Sequence, residues 1–167
     1  AIRRGEFNIA DRSLALALDL YDELYGENTL HINTAAVRFQ QGALAFQREQ
    51  LEQAWLHFSE CLRARRHVYA YSQGNHLEVS TVLHELACVA FAQKRIPKAC
   101  EMLTAEKAIL DALCETSSHR QRMLQARLTN LTWLRKCAKE RGDEEQVRRI
   151  VAERSELKRT EKQQTSE

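Results

Sequence analysis

Apolar residues recur along this chain at spacings of three and four, the pattern that places them on one face of an α-helix. Short polar stretches interrupt the pattern, and it nowhere predicts a strand. We therefore expect an all-α fold of about seven helices. The predicted helices span about residues 8–25, 31–48, 51–72, 77–93, 97–114, 119–140 and 143–158.

The ends of the chain differ from this helical sequence. For residues 1–7, AIRRGEF, a native origin and an expression-vector remnant are both open, and we leave them out of the fold prediction. The pattern begins abruptly at residue 8, as expected of a piece cut from a longer protein. The polar residues 159–167 are predicted to be disordered.

The composition excludes several classes of protein. The 167 residues include one proline and five glycines, too little turn chemistry for a many-turned β-sandwich or barrel. The net charge of +2 does not favour a nucleic-acid or membrane partner. Residues 120–167 are more basic, with 13 basic and 8 acidic side chains. No apolar run reaches the ~20 residues of a membrane span.

Two sets of residues recur along the chain. Three polar turns end on a histidine that begins a new helix, at intervals of 45 and 43 residues, and three alanines recur at intervals of 44 and 45. Periods of this length indicate a repeat protein. The residues are His31, His76 and His119, and Ala10, Ala54 and Ala99.

Small residues precede two of these alanines by 12 positions, at Gly42 and Ala87. We expect each to contact its alanine, because antiparallel helices approach closely only where their contact residues are small. Phe58 and Leu103, one turn further along, are expected to fill the gap to the neighbouring pair. A helix pair cannot bury its faces alone, so several pairs must stack.

This pattern resembles the tetratricopeptide repeat, in the longer form found in kinesin light chains. The first helix resembles the second half of such a repeat, Asn75-His76 resembles the corner between repeats, and Leu86-Ala87 matches a pair in the first helix. The matching residues of the first helix are Ala10, Leu14, Ala17, Leu18, Leu20, Leu24 and Gly26. The resemblance implies a right-handed superhelix of antiparallel helix pairs.

The implied organisation is a partial repeat followed by two repeats and a divergent end. Ala45 and Ala90 stand where the family has a tyrosine, and Gly142 comes about three residues late in the last unit. The divergent unit is expected to be a polar end cap. The predicted boundaries are 8–30, 31–75, 76–118 and 119–158.

The resemblance also implies a function. The first helix of each pair lines a concave face, where a partner peptide or helix binds, so we expect a protein-interaction scaffold or adaptor. For Phe39 and Cys88 a place in the core is the alternative. The implied binding residues are Ala36, Phe39, Gln40, Ala43, Gln47, Thr81, His84, Glu85, Cys88 and Ala92, followed by Asn130, Trp133 and Lys136.

Catalytic motifs are missing: there is no phosphate-binding glycine loop, no H-E-x-x-H and no nucleophile elbow. We predict no enzyme activity, no cofactor and no metal site. His84-Glu85 and the pair His57 and Glu60 are interpreted as structural, with a metal or acid–base site as the alternative. Trp55 is expected at a helix contact.

The five cysteines, odd in number and without C-x-x-C spacing, are interpreted as buried free thiols of a cytoplasmic protein. A zinc site or a disulfide framework is the alternative. The cysteines are Cys61, Cys88, Cys100, Cys114 and Cys137.

Three further hypotheses concern partners. The basic run at residues 63–67 is expected on a solvated face, and residues 120–159 offer an RNA or acidic-surface contact as a minor alternative. The chain could instead be a regulatory or sensor array of a larger signalling protein, such as a nucleotide-dependent ATPase. Self-association through an open repeat end is predicted, because Leu14, Leu18 and Tyr21 lack a helix of their own repeat.

Overall fold

The computed structural model describes residues 2–26, 30–72, 75–116 and 120–164, and within these ranges all regular structure is helical. This confirms the predicted all-α class. The α-helices are α1 (Ile2–Tyr25), α2 (Ile32–Gln47), α3 (Leu51–Val68), α4 (Leu77–Ala92), α5 (Ile96–Thr116), α6 (Arg120–Glu140) and α7 (Glu144–Gln164).

Three helix ends differ from the prediction. α1 begins at Ile2, so residues 2–7 belong to a helix that we expected to start at residue 8. α3 ends at Val68 and is followed by a separate 3₁₀ turn at Ala70–Ser72. α7 continues to Gln164, so the predicted disorder does not hold for residues 159–164, and residues 165–167 lie outside the described ranges.

Histidines begin two helices, as the repeat predicted. His31 and His76 are the N-caps of α2 and α4, and their Nδ1 atoms accept hydrogen bonds from the backbone N–H of Asn33 (3.1 Å) and Glu78 (3.2 Å). Each imidazole thus satisfies one of the N–H groups that a helix start leaves without a partner. His119 lies outside the described residues.

Three helix pairs share one corner geometry. Glu49, Lys94 and Gly142 have positive φ values of 61°, 60° and 69°. The next residue in each turn donates its N–H to a carbonyl five positions earlier, as in Gln50 to Ala45 (2.9 Å). The spacing is 45 residues and then 48, which confirms the late glycine of the last unit.

Residues Ala1–Gly74 form one compact unit, in which α2 packs against α3 and α1 against α2. Ala35, Ala54 and Phe58 are fully buried there. A Cβ built on Gly42 would lie 2.7 Å from the Phe58 ring. Phe58 therefore fills the space above Gly42 within its own helix pair, and its predicted contact with a neighbouring pair stays a prediction.

Residues Asn75–Glu167 form the second unit, in which α4 packs on α5, α5 on α6 and α6 on α7. The buried layer consists mainly of leucines, valines and alanines. Ion pairs tie the last three helices together: Lys107 on α5 contacts Asp111 (2.8 Å) and Glu153 of α7 (2.9 Å), and Arg127 of α6 contacts Asp111 (2.9 Å). Of the helices described, none has the length and apolar character needed to cross a membrane.

Candidate functional site

A groove of about 380 Å³ lies between α1 and α2. Its α2 wall includes Gln40, Ala43 and Gln47, three of the residues predicted to bind a partner. Gln40 and Gln47 are exposed and Ala43 is half-buried, so amide groups flank an apolar floor. The groove is also lined by Ala10, Ser13, Leu14 and Leu44.

Phe39 on α2 is half-buried, with its ring in edge contact with Phe58 at a centroid distance of 5.5 Å. The guanidinium of Arg65 lies 5.0 Å from the centroid of the Phe39 ring, and Arg65 is only 8% exposed. The basic run at residues 63–67 is therefore not uniformly solvated. Arg63, Arg66 and His67 are exposed as expected, whereas Arg65 packs inside through a cation–π contact.

The second unit contains a buried polar cluster formed by α4, α5 and α6. Oε2 of Glu106 lies 3.1 Å from Nδ1 of His84 and accepts a hydrogen bond from Nδ2 of Asn130 at 2.8 Å. Nδ2 of Asn130 also donates to the carbonyl of Leu103 at 2.8 Å. Glu106 is 4% exposed and Asn130 is fully buried. The cluster joins three consecutive helices through side chains that are buried or half-buried.

Sequence reasoning missed Glu106, although a signal for it exists. Glu106 shares its helix face with Leu103 and Leu110, both fully buried, at the spacing of three and four that marks a core position. A carboxylate in that register is rare in a core unless it has a partner. Here the partners are His84 and Asn130.

The pKa values of His84 and of its neighbour Glu85 are both raised above their ordinary values. Burial opposes the charged form of His84, but hydrogen bonds to the side chains of Cys88 and Glu106 and the attraction of the Glu106 carboxylate raise the pKa of His84 to about 10. Burial also raises the pKa of Glu85. A protonated His84 is neither a metal ligand nor a general base at neutral pH, which favours its interpretation as a binding or structural group.

An aromatic group lies beside the polar cluster. The Trp133 ring makes edge contacts with Phe91 (5.5 Å between centroids) and His84 (6.0 Å), and Nζ of Lys136 lies 4.0 Å from the Trp133 centroid. Trp133 is half-buried and Lys136 is exposed. The contacts fix the orientation of the indole while part of it stays accessible to solvent.

The structure thus brings together His84, Trp133 and Lys136 from two helices, and places Asn130 behind them. Asn130 was predicted to be exposed, and its complete burial corrects that prediction. Its Oδ1 atom has no hydrogen-bond partner among the described residues. On α4, Thr81 is exposed, whereas Glu85 and Cys88 are half-buried. In the first unit, Ala36 on α2 is exposed.

All five cysteines are free, but they are not uniformly buried as we expected. Cys61 and Cys137 are buried, and the other three are half-buried. Burial, together with the neighbouring Cys100, raises the pKa of the Cys137 thiol to about 11. Nη1 of Arg141 lies 3.5 Å from Sγ of Cys100.

A solved structure resembles this fold. The crystal structure of BtubC (BKLC) from P. vanneervenii matches with a TM-score of 0.79 and 17% sequence identity over 95% of this chain. The chain spans 59% of the length of BtubC. The fold is that of a helical repeat protein similar to tetratricopeptide repeats. No protein-family model matches the chain, and no curated protein matches it in sequence.

Proposed function

We propose that this chain is a protein-interaction scaffold that binds a peptide or helical segment of a partner protein. The fold supports the proposal, because helical repeats of this kind present extended surfaces for partners. The observation that carries it is the meeting of His84, Trp133 and Lys136 at one surface of the second unit.

These three side chains suit recognition of a peptide. Tryptophan is enriched among the residues that dominate binding energy at interfaces, since it offers a large rigid surface with an N–H donor. Lys136 and the protonated His84 add positive charge beside the indole, and the Glu106–Asn130 contacts hold His84 in place. The groove with Gln40 and Gln47 in the first unit is a second candidate contact surface.

A peptide suits this chain better than RNA as its partner. Three cations of residues 120–159 have carboxylates beside them: Arg127 pairs with Asp111, Arg141 with Asp143 and Arg149 with Glu145. Paired cations contribute less to phosphate binding, which depends on clustered unpaired positive charge. The five free cysteines support the cytoplasm as the compartment. The sensor-array hypothesis stays a prediction that no described residue favours.

The test is selection from a random peptide library on the immobilised 167-residue chain, followed by affinity measurement of the enriched peptides. We expect Trp133→Ala or Lys136→Ala to weaken binding about tenfold or more. The matched control is Tyr71→Ala, which removes an aromatic ring that is 81% exposed on the other unit. Failure to enrich any peptide would contradict the proposal. Peptide affinities that neither Trp133→Ala nor Lys136→Ala changes would also contradict it.

A further inference from the structure

α1 carries a stripe of large apolar side chains that face solvent. Ile9, Leu16, Leu20 and Leu24 are 67%, 61%, 49% and 71% exposed. Their spacing of seven, four and four residues places them on one side of the helix. Large exposed apolar side chains grouped on one side of a helix are typical of an interaction site in a folded protein. We call these four residues the α1 stripe.

The stripe differs from the surface that was predicted for self-association. Self-association was predicted from Leu14, Leu18 and Tyr21, but all three are half-buried. Leu14 lines the groove against α2, and Leu18 lines a small cavity with Thr34. The unpartnered surface of α1 is therefore the opposite side, where the stripe lies.

Charged residues follow one edge of the stripe. Arg12, Asp19 and Glu23 are all exposed, and on the helical wheel they lie on the same flank of the stripe. The positive charge is in the N-terminal half of this edge and the two negative charges are in the C-terminal half. Asp11, which points elsewhere, is paired with Arg48 of the α2–α3 turn.

We propose that the α1 stripe is a dimer interface that pairs with the α1 stripe of a second copy of this chain, in antiparallel orientation. A two-fold axis perpendicular to the helices brings the same flank of both copies together, with opposite chain direction. In that register Arg12 of each copy meets Glu23 of the other. A parallel pair would bring opposite flanks together and would leave the Arg12 and Glu23 edges apart.

The apolar residues agree with the same register. Antiparallel pairing that sets Arg12 beside Glu23 of the second copy also sets Ile9 near Leu24 of the second copy and Leu16 near Leu20. Apolar contacts then supply affinity, and the flanking charges set orientation, as they do in coiled coils. The interface is independent of the proposed peptide surface, since it uses none of the same residues.

The first test is the molar mass of the 167-residue chain in solution, by light scattering and sedimentation equilibrium up to about 1 mM. We expect a concentration-dependent dimer that Leu16→Glu and Leu20→Glu abolish, with helical circular dichroism retained. Leu56→Glu is the matched control, because Leu56 is 55% exposed on α3 and lies outside the stripe. It should leave the dimer intact.

The second test uses charge reversal to probe the orientation. Arg12→Glu and Glu23→Arg should each weaken the dimer, because like charges then face each other. An equimolar mixture of the two variants should restore dimers, since both contacts become opposite in sign in the mixed species. The double variant R12E/E23R should also dimerise as the wild type does.

Two results would overturn the proposal. A monomer at every concentration would show that no second copy covers the stripe, and would leave it to another helix or another protein. A dimer that Leu56→Glu disrupts as strongly as Leu16→Glu, or that the charge variants do not affect, would show a different interface.

Discussion

Oε2 of Glu106 lies 3.1 Å from Nδ1 of His84, which places a cation and an anion from adjacent helices inside the second unit. The side chain of His84 is 20% exposed and that of Glu106 is 5% exposed. Partners this close to each other and this far from water depend on each other, because either charge alone would be buried without compensation.

This pair should make stability depend on pH. The pKa of His84 rises from 6.5 to about 10 on folding, so its protonated form favours the folded state. The stabilisation is fully present below about pH 6.5 and is lost as the pH rises through about 10. We expect urea midpoints to fall over this interval, and His84→Gln to flatten the decline. His67→Gln, at an exposed histidine, should not, and equal slopes in all three proteins would contradict the prediction.

Replacing Asn130 by alanine or by aspartate should destabilise the fold. Asn130→Ala removes the donor to Leu103 and Glu106 and should cost about 1–3 kcal/mol of unfolding free energy. Asn130→Asp places a second carboxylate beside Glu106 and should cost about 3 kcal/mol or more at pH 7. Because like charges raise a carboxyl pKa, the difference between the two variants should narrow as the pH falls to about 5. A difference that is constant with pH would show that Glu106 is not the neighbour that matters.

Gly42→Ala should destabilise the first unit. The added Cβ would lie within 2.7–2.9 Å of three ring atoms of Phe58, and Phe58 is fully buried and has little room to move. We expect a loss of about 1–3 kcal/mol by chemical denaturation. The double variant Gly42→Ala/Phe58→Leu should be less destabilised than the sum of its single changes, because leucine leaves room for the methyl group. Losses of unfolding free energy that are fully additive in the double variant would argue against a contact between residue 42 and the Phe58 ring.

Lys94→Gly should stabilise the chain. Lys94 has φ 60° at the corner between α4 and α5, a conformation that glycine adopts without the steric cost of a Cβ. We expect a gain of about 0.5–1 kcal/mol, net of the extra flexibility that glycine adds to the unfolded chain. Gly142→Ala is the converse at φ 69°, where nothing lies within 4 Å of the added Cβ, and should cost a similar amount. A loss of stability in Lys94→Gly, or a gain in Gly142→Ala, would contradict the corner geometry.

The pattern of apolar residues along the chain was enough to predict the helices of this protein. The spacing of apolar residues located seven helices, most to within two residues, because that spacing reports which side of a helix is buried. The recurring histidines marked two helix starts, since N-capping depends only on neighbours along the chain. The longer extents of α1 and α7 escaped prediction, because residues 1–7 were left out of the fold prediction and because residues 159–164 are polar and carry no apolar periodicity.

Which helix faces pack together depends on the arrangement of the helices in three dimensions. Arg65 and Glu106 are charged in sequence but buried in the fold, because Phe39 and His84 lie opposite them on neighbouring helices. Asn130 was predicted to lie at the surface but is buried, because its partners Leu103 and Glu106 lie on the neighbouring helix α5. Periodicity shows that a helix has a buried face, but the choice of partner for each side chain depends on how helices distant in sequence pack together.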